Sequence, residues 1–271
     1  MNNSMISASA SIGSLQRKLD MLADNIANIN TVGYKRKTSV FEDLLTSLQP
    51  HEEAFRQPGR ATPPGFTLGW GVRLSSMMLD MTQGALQATG NPNDVAIEGN
   101  ALFEITMPDG TPAYTRHGAF QLVALPSGDR QLVTDAGMAV RDSRGQNIIV
   151  PAGRTLTISP EGTLTAVGNS GTTPIELGQL QLVQVLKPEL LRSIGDNLYG
   201  IEQGTNPASV LQQLPARPVG VAVRQGFTEQ SNVSLTDEMA DLMSVQRAYQ
   251  LNARALTSAD QMLGMANNLR G

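Results

Sequence analysis

The chain has no cysteine among its 271 residues, which excludes both a disulfide framework and a thiolate-held metal. Aromatic residues make up only 4% and charged residues 16%, a composition more typical of extended, turn-rich, interaction-dominated proteins than of a compact enzyme. With 20 basic against 24 acidic side chains and a net charge of −4, there is no basic footprint for nucleic acid or for an anionic membrane surface. No apolar run reaches the roughly 18 residues that a bilayer-spanning helix needs. The opening "MNNSMISASASIGSLQRKLD" lacks a basic start followed by an unbroken apolar stretch. It does not read as a secretory leader, so any exit from the cell is expected to proceed without a cleaved signal.

Catalytic and cofactor motifs are equally sparse. The two histidines, His51 and His117, occur in neither HExxH nor HxH spacing, which argues against a metal centre. Neither a GxSxG nucleophile elbow nor a GxxxxGK[ST] phosphate loop occurs. "GWGVRL" (Gly69 to Leu74) lacks the third glycine of a dinucleotide loop, and Glu98, Glu104 and Asp109 form pairs only of the kind any acidic β protein offers. No cofactor, small-molecule substrate or nucleic acid partner is therefore expected. "YKRK" (Tyr34 to Lys37) reads as a solvated group of charges after a helix end. "NVS" at Asn232 matches a glycosylation sequon of a kind common by chance.

The organisation that is present runs helix, β-rich middle, helix. Near the start, Met5, Ala8, Ile12, Leu15, Leu19, Leu22, Ile26 and Ile29 recur in alternating steps of three and four, the narrow seam of a coiled coil. Near the end, Leu235, Met239, Leu242, Val245, Tyr249, Leu256, Ala259 and Leu263 form a second stripe, interrupted by a three-three step and by Asn252. "SLTD" supplies a start for that helix, with Ser234 as cap and the acids Asp237 and Glu238 in the favourable first turn. The first stripe does not bury enough apolar surface to offset the entropy of ordering its helix alone. It is expected to need the C-terminal helix as a partner, and both to need further chains.

Between the helices, turn signals recur every eight to twelve residues: "PDG" (Pro108 to Gly110), "SGD" (Ser127 to Asp129), "DAG" (Asp135 to Gly137), "SRG" (Ser143 to Gly145) and "PEG" (Pro160 to Gly162). Alternating runs such as "AFQLVAL", "RQLVT", "RTLTIS" and "TLTAV" separate them, which predicts an antiparallel barrel or sandwich. The segment Gln49 to Gly71 carries four prolines and four glycines. By composition it is a linker or an extended arm. The expected class is α+β: residues 1–40 an N-terminal helix pairing with a C-terminal helix at 230–271, 41–83 an extended hairpin arm with connecting strands, 84–218 the β domain and 219–229 a connector.

Four stretches carry a family resemblance. "LADNIANINTVGYKR" resembles the terminal motif of the bacterial flagellar axial proteins, the rod and hook family. "TGNPNDVAIEGNALFEITMPDGTPAYTRHGAFQL" (Thr89 to Leu122), "SIGDNLY" (Ser193 to Tyr199) and "QGFTEQSNVSLTDEMADLMSVQRAYQLNARALTSADQML" (Gln225 to Leu263) are similar to the same family. The chain is shorter than hook proteins usually are. Its Pro/Gly segment is similar in position and length to the insertion of the distal rod branch, with the proximal rod as the runner-up.

The resemblance implies a structural, non-enzymatic subunit that polymerises into a helical tube, lines an export channel and transmits torque from motor to hook. Its implied partners are further copies of itself, proximal rod proteins, the hook protein or hook-rod junction, and the flagellar type III export apparatus. Its implied place is the basal body outside the cytoplasmic membrane, in periplasm or cell wall. The implied assembly interface comprises Leu15, Leu19, Leu22, Ile26 and Ile29 on the first helix, met by Leu235, Met239, Leu242, Val245, Tyr249, Leu256 and Leu263. The amides Asn25, Asn28 and Asn30 beside the seam have two open roles, lateral bonds to another subunit or bonds within the chain. Gly33 is the expected left-handed stop of the helix, and Tyr34 turns the chain toward the arm. Two readings from other classes stand beside this one: a soluble β-domain binding module dimerised by its helices, and a wall-cleaving hydrolase.

Overall fold

The computed structural model describes residues 2–43, 47–50, 65–68, 72–168, 173–202, 204–215 and 220–268. Two long helices stand at the ends of the chain: α1 (Asn2–Ala27), then, after a single-turn helix α2 (Pro207–Val210), α3 (Leu235–Asn268). At about 1.5 Å per residue α1 is about 39 Å long and α3 about 51 Å. α3 begins directly after Ser234, and Asp237 and Glu238 lie in its first turn.

α1 stops earlier than expected. Its last helical residue is Ala27, and three-residue turns follow, with Asn28 N donating to Asn25 O and Thr31 N to Asn28 O. Gly33, at φ 71°, therefore belongs to a turn beyond the helix and does not end it.

The chain divides into two compact units. One comprises the described residues of Met1–Asp24, Thr38–Met77 and Leu235–Gly271. It holds α1 as far as Asp24, α3, most of the strands Lys37–Asp43 and Val72–Leu79, which pair with each other, and an antiparallel pairing of Ser47–Pro50 with Gly65–Leu68. Most of the Pro/Gly segment, including His51 and Trp70, lies outside the described residues.

The other unit, Asn25–Lys37 with Met78–Ser234, is β-rich. A ten-stranded antiparallel sheet forms its body, with a three-stranded sheet of Arg154–Ile158, Thr163–Gly168 and Ile175–Gln179 beside it. The strands Phe120–Ala124 and Arg130–Thr134 form a hairpin across the "SGD" turn. All five glycines of the predicted turns, from Gly110 to Gly162, have positive φ, the conformation those turns require and side-chain-bearing residues resist.

The strand Leu102–Thr106 lies at the centre of the sheet, and its burial is nearly continuous. Phe103 and Ile105 join one apolar cluster, with Phe120, Leu132, Val140 and Leu164. Leu102 joins a second, with Tyr114, Val183, Tyr199 and Val210. Because alternate residues face opposite sides of a strand, this strand is covered on both faces. Glu104 falls between these apolar positions and is neutralised by Arg141, whose Nη1 is 3.0 Å from its carboxylate.

Close packing in this unit is tested at Gly118. A Cβ there would lie 1.7 Å from the Val95 carbonyl oxygen, so the backbone itself would have to move. Gly118→Ala is expected to lower unfolding stability by about 3 kcal/mol or more. Gly110→Ala, in an open turn at φ 83°, is expected to cost only about 1 kcal/mol. Urea titration of both variants measures the contrast, and equal losses would contradict it.

Candidate assembly seam and root junction

Within the helical unit, five of the predicted seam residues and Met21 form one cluster. Met21, Leu22 and Val245 are buried together, with Leu15, Leu19 and Leu242 packed against them. Gln16 Nε2 donates to Tyr249 Oη at 3.3 Å. Other predicted positions are outside this contact: Leu235 and Met239 are 49% and 45% exposed, and Leu256 is half-buried. The side chain of Leu263 is outside the described set. Ile26 and Ile29 are half-buried, with Ile29 beyond the helix end. The contact is thus shorter than the continuous seam expected from the sequence. α3 also carries apolar side chains away from the seam. Met243, Leu251, Met262 and Met265 are about half-exposed or more.

The β-rich unit contains a second, more tightly built site, where the residues following α1 meet those preceding α3. Asn25, fully buried, accepts from Tyr34 Oη and from Lys37 N through Oδ1, both at 3.0 Å, and donates through Nδ2 to Lys37 O at 2.9 Å. Its amide therefore closes the loop that follows the helix. Asn28 Oδ1 accepts from Thr31 Oγ1, whereas Asn30 is exposed. Of the two roles open to these amides, Asn25 and Asn28 take bonds within the chain.

Glu229 lies at the centre of the junction. One carboxylate oxygen accepts from Lys35 Nζ and from Gly84 N, each at 2.8 Å. The other accepts from Arg116 Nε at 2.5 Å, and the Glu229 backbone carbonyl accepts from Gly33 N at 2.8 Å. Lys35 also donates to Thr82 O, and Arg116 to the carbonyls of Ala101 and Ile97. Asn232 adds a parallel clasp, accepting from Arg36 N at 2.7 Å and donating to the carbonyls of Asp80 and Thr82. The glycines are required by space. A Cβ on Gly84 would lie 2.0 Å from Gln230 O, and one on Gly33 would lie 2.6 Å from His117 N.

The side chains of Lys35, Arg116 and Glu229 are each at most 1% exposed. One anion thus faces two cations in a dry site. Burial, followed by the nearby Arg116 charge, holds the Lys35 amine below its ordinary value, against the pull of Glu229. Burial pushes the neighbouring Tyr199 phenol up to about 12, although a hydrogen bond from the Lys35 backbone works the other way.

Sequence reading missed this cluster. "YKRK" is not a solvated cap: α1 has no basic residue in its last turn, and Lys35 is among the most buried side chains of the protein. Asn232, noticed only as part of a sequon, is a structural clasp. The available signal was weak: isolated charges beside Gly and Tyr in three distant stretches, all lying within the segments that carry the family resemblance.

The comparisons agree with that resemblance along the whole chain. Residues 14–35 match the flagella basal body rod protein family, 96–166 the flagellar hook protein FlgE/F/G D1 domain, and 224–269 the flagellar basal body rod FlgEFG protein C-terminal region. The chain is 35% identical to the flagellar basal-body rod protein FlgG of Borreliella burgdorferi, over 100% of its own length and 99% of that protein's. It is 35% identical to the flagellar hook-basal body complex protein FlhP of Bacillus subtilis, with both chains covered in full. It is 36% identical to FlgG of Buchnera aphidicola subsp. Baizongia pistaciae, over 94% of this chain and 95% of that one.

Two outcomes test the junction. Glu229→Gln leaves two buried cations without their counter-charge, and urea unfolding should show a loss of roughly 3–5 kcal/mol; a loss under about 1 kcal/mol would contradict the burial of the pair.

Alkaline titration is the second test. Tyr199 titrates near 12 when folded against 10.0 ordinarily, so its stabilisation is complete below pH 10 and is lost as pH rises through 12, about 3 kcal/mol in all. Lys35 acts in the opposite sense, but only up to its ordinary 10.5. Tyr199→Phe should therefore flatten the decline in stability above pH 10.5. An unchanged decline would contradict the assignment.

Proposed function

Because the chain belongs to the flagellar basal-body rod and hook family, as a structural subunit of the rod, we propose that it builds the distal part of that rod. It polymerises into a helical tube whose inner wall is made of the paired terminal helices, and that tube carries torque toward the hook and encloses the export path. The observation that carries this reading is the state of the two helices. They match the family at both ends of the chain, meet each other through a small cluster, and leave Met243, Leu251, Met262 and Met265 of α3 open. An apolar helix face of that length suits burial by neighbouring copies, and small contacts gain strength when they repeat along an open helical assembly.

The distal position is supported by the resemblance of the Gln49 to Gly71 segment, of whose surroundings the structure describes the antiparallel pairing of Ser47–Pro50 with Gly65–Leu68. In this reading the segment is an arm that packs along neighbouring subunits and stiffens the tube. Proximal rod proteins below, hook-side proteins above and the type III export apparatus are the partners. In this reading the rod lies outside the cytoplasmic membrane.

Leu22→Asp tests the proposal. Leu22 is 1% exposed within the helix cluster, and a carboxylate there has no partner. The β-rich unit should fold normally by near-UV circular dichroism, whereas complemented cells should lose motility and assembled rods. Normal swimming with full-length rods would contradict the use of this seam in assembly.

A further inference from the structure

A groove of about 480 Å³ in the β-rich unit belongs to neither the seam nor the junction. Its walls follow from strand register. Glu104 is the cross-strand partner of Tyr114. Leu102, two residues before Glu104, is the partner of Val183, which in turn pairs with Gln213. Alternation therefore places Glu104, Tyr114, Val183, Leu211 and Gln213 on one face of the sheet, and the start of α2 completes the groove with Asn206 and Pro207.

Tyr114 and Glu104 are each only 7% exposed. Among the described residues Tyr114 Oη has no hydrogen-bond partner, yet the oxygen is not sealed from solvent, so it opens into the groove. Glu104 Oε1 accepts from Arg141 Nη1 at 3.0 Å, while its other carboxylate oxygen is likewise unbonded and open. A nearly buried phenol and carboxylate oxygen without partners in the chain must take them from the groove.

The chemistry of the lining selects the ligand. Among the described residues Glu104 is the one charged residue of the groove, and Arg141 already neutralises it. Neither a cation nor an anion would gain a free counter-charge there. Burial, followed by the Glu104 charge, pushes the Tyr114 phenol above its ordinary value, so it stays an O–H donor near neutral pH. The carboxylate oxygen is an acceptor, and the exposed amides of Gln212 and Gln213 serve both roles. Asn206 Oδ1 accepts from Ala208 N, which keeps Nδ2 for donation. Val183, Leu211 and Pro207 supply an apolar wall.

We propose that this groove binds a neutral, hydroxyl-rich ligand, a sugar of one or two rings. Each sugar hydroxyl both donates and accepts, which matches the mixed polar groups, and the C–H face of a ring covers the apolar wall. The volume is in the range of small-ligand sites. The site is a property of the single chain and stands independently of the rod reading.

Amide NMR of the purified full chain, dilute enough to remain monomeric, tests this by titration with chitobiose, with maltose and, as a peptide mimic, with N-acetylalanine methylamide. At least one sugar should give saturable shifts at Tyr114 and at 206–213 with a Kd of about 1 mM, and the peptide mimic none. Tyr114→Phe removes only a hydroxyl that bonds nothing in the chain. Thermal unfolding should therefore be unchanged while sugar affinity falls about five- to tenfold. No saturable shift with either sugar up to about 50 mM would overturn the proposal, as would equal shifts with the peptide mimic or an unchanged affinity in Tyr114→Phe. Should that variant misfold, Gln213→Ala on the exposed rim decides the matter: affinity should fall about threefold, and an unchanged value overturns the assignment.

Discussion

The Glu229 carboxylate is the interaction on which the remainder of the molecule depends. It is the counter-charge for two buried cations contributed by distant parts of the chain, Lys35 after the first helix and Arg116 at the end of a central strand. Desolvating those cations would be strongly unfavourable without it. The same residue binds Gly84 through its side chain and Gly33 through its backbone. Three distant stretches of the β-rich unit, around residues 35, 116 and 229, are therefore joined through one buried ionic site, and the glycines around it follow from how closely the strands of chain must approach.

That arrangement divides the work of the protein. Stability resides in the β-rich unit, where Leu102–Thr106 is covered on both faces and the junction is hydrogen-bonded throughout. Among the described residues the helices meet through a six-residue apolar cluster and the Gln16–Tyr249 hydrogen bond. Their remaining apolar surface is available for contacts with other copies. In the proposed rod, the β-rich unit would carry the load and the long ends would acquire their full partners in the assembly.

Much of this was legible in the sequence. Turn glycines, alternating strands and the "SLTD" start gave the antiparallel middle and the onset of α3, because each depends on local geometry. Three features were not legible. α1 ends at Ala27, since the Asn25 amide captures Lys37 and Tyr34 and draws the chain into a turn before Gly33. Lys35 is buried, a fate decided by Glu229 some 194 positions away. The seam is a short cluster because apolar periodicity records which face of a helix is buried somewhere, and not whether its partner is the same chain or another.

The chain's lack of cysteine makes the central claim directly measurable. Leu22 and Val245 share the cluster that pairs the two ends of one subunit, so a Leu22→Cys/Val245→Cys double variant can be oxidised in the assembled rod. The account predicts a crosslink within each chain, seen as a compact band at monomer mass that reverts on reduction. A ladder of crosslinked multimers, with no intrachain product, would show that each subunit's ends pair with its neighbours instead, and would contradict the packing of Leu22 against Val245 within one chain.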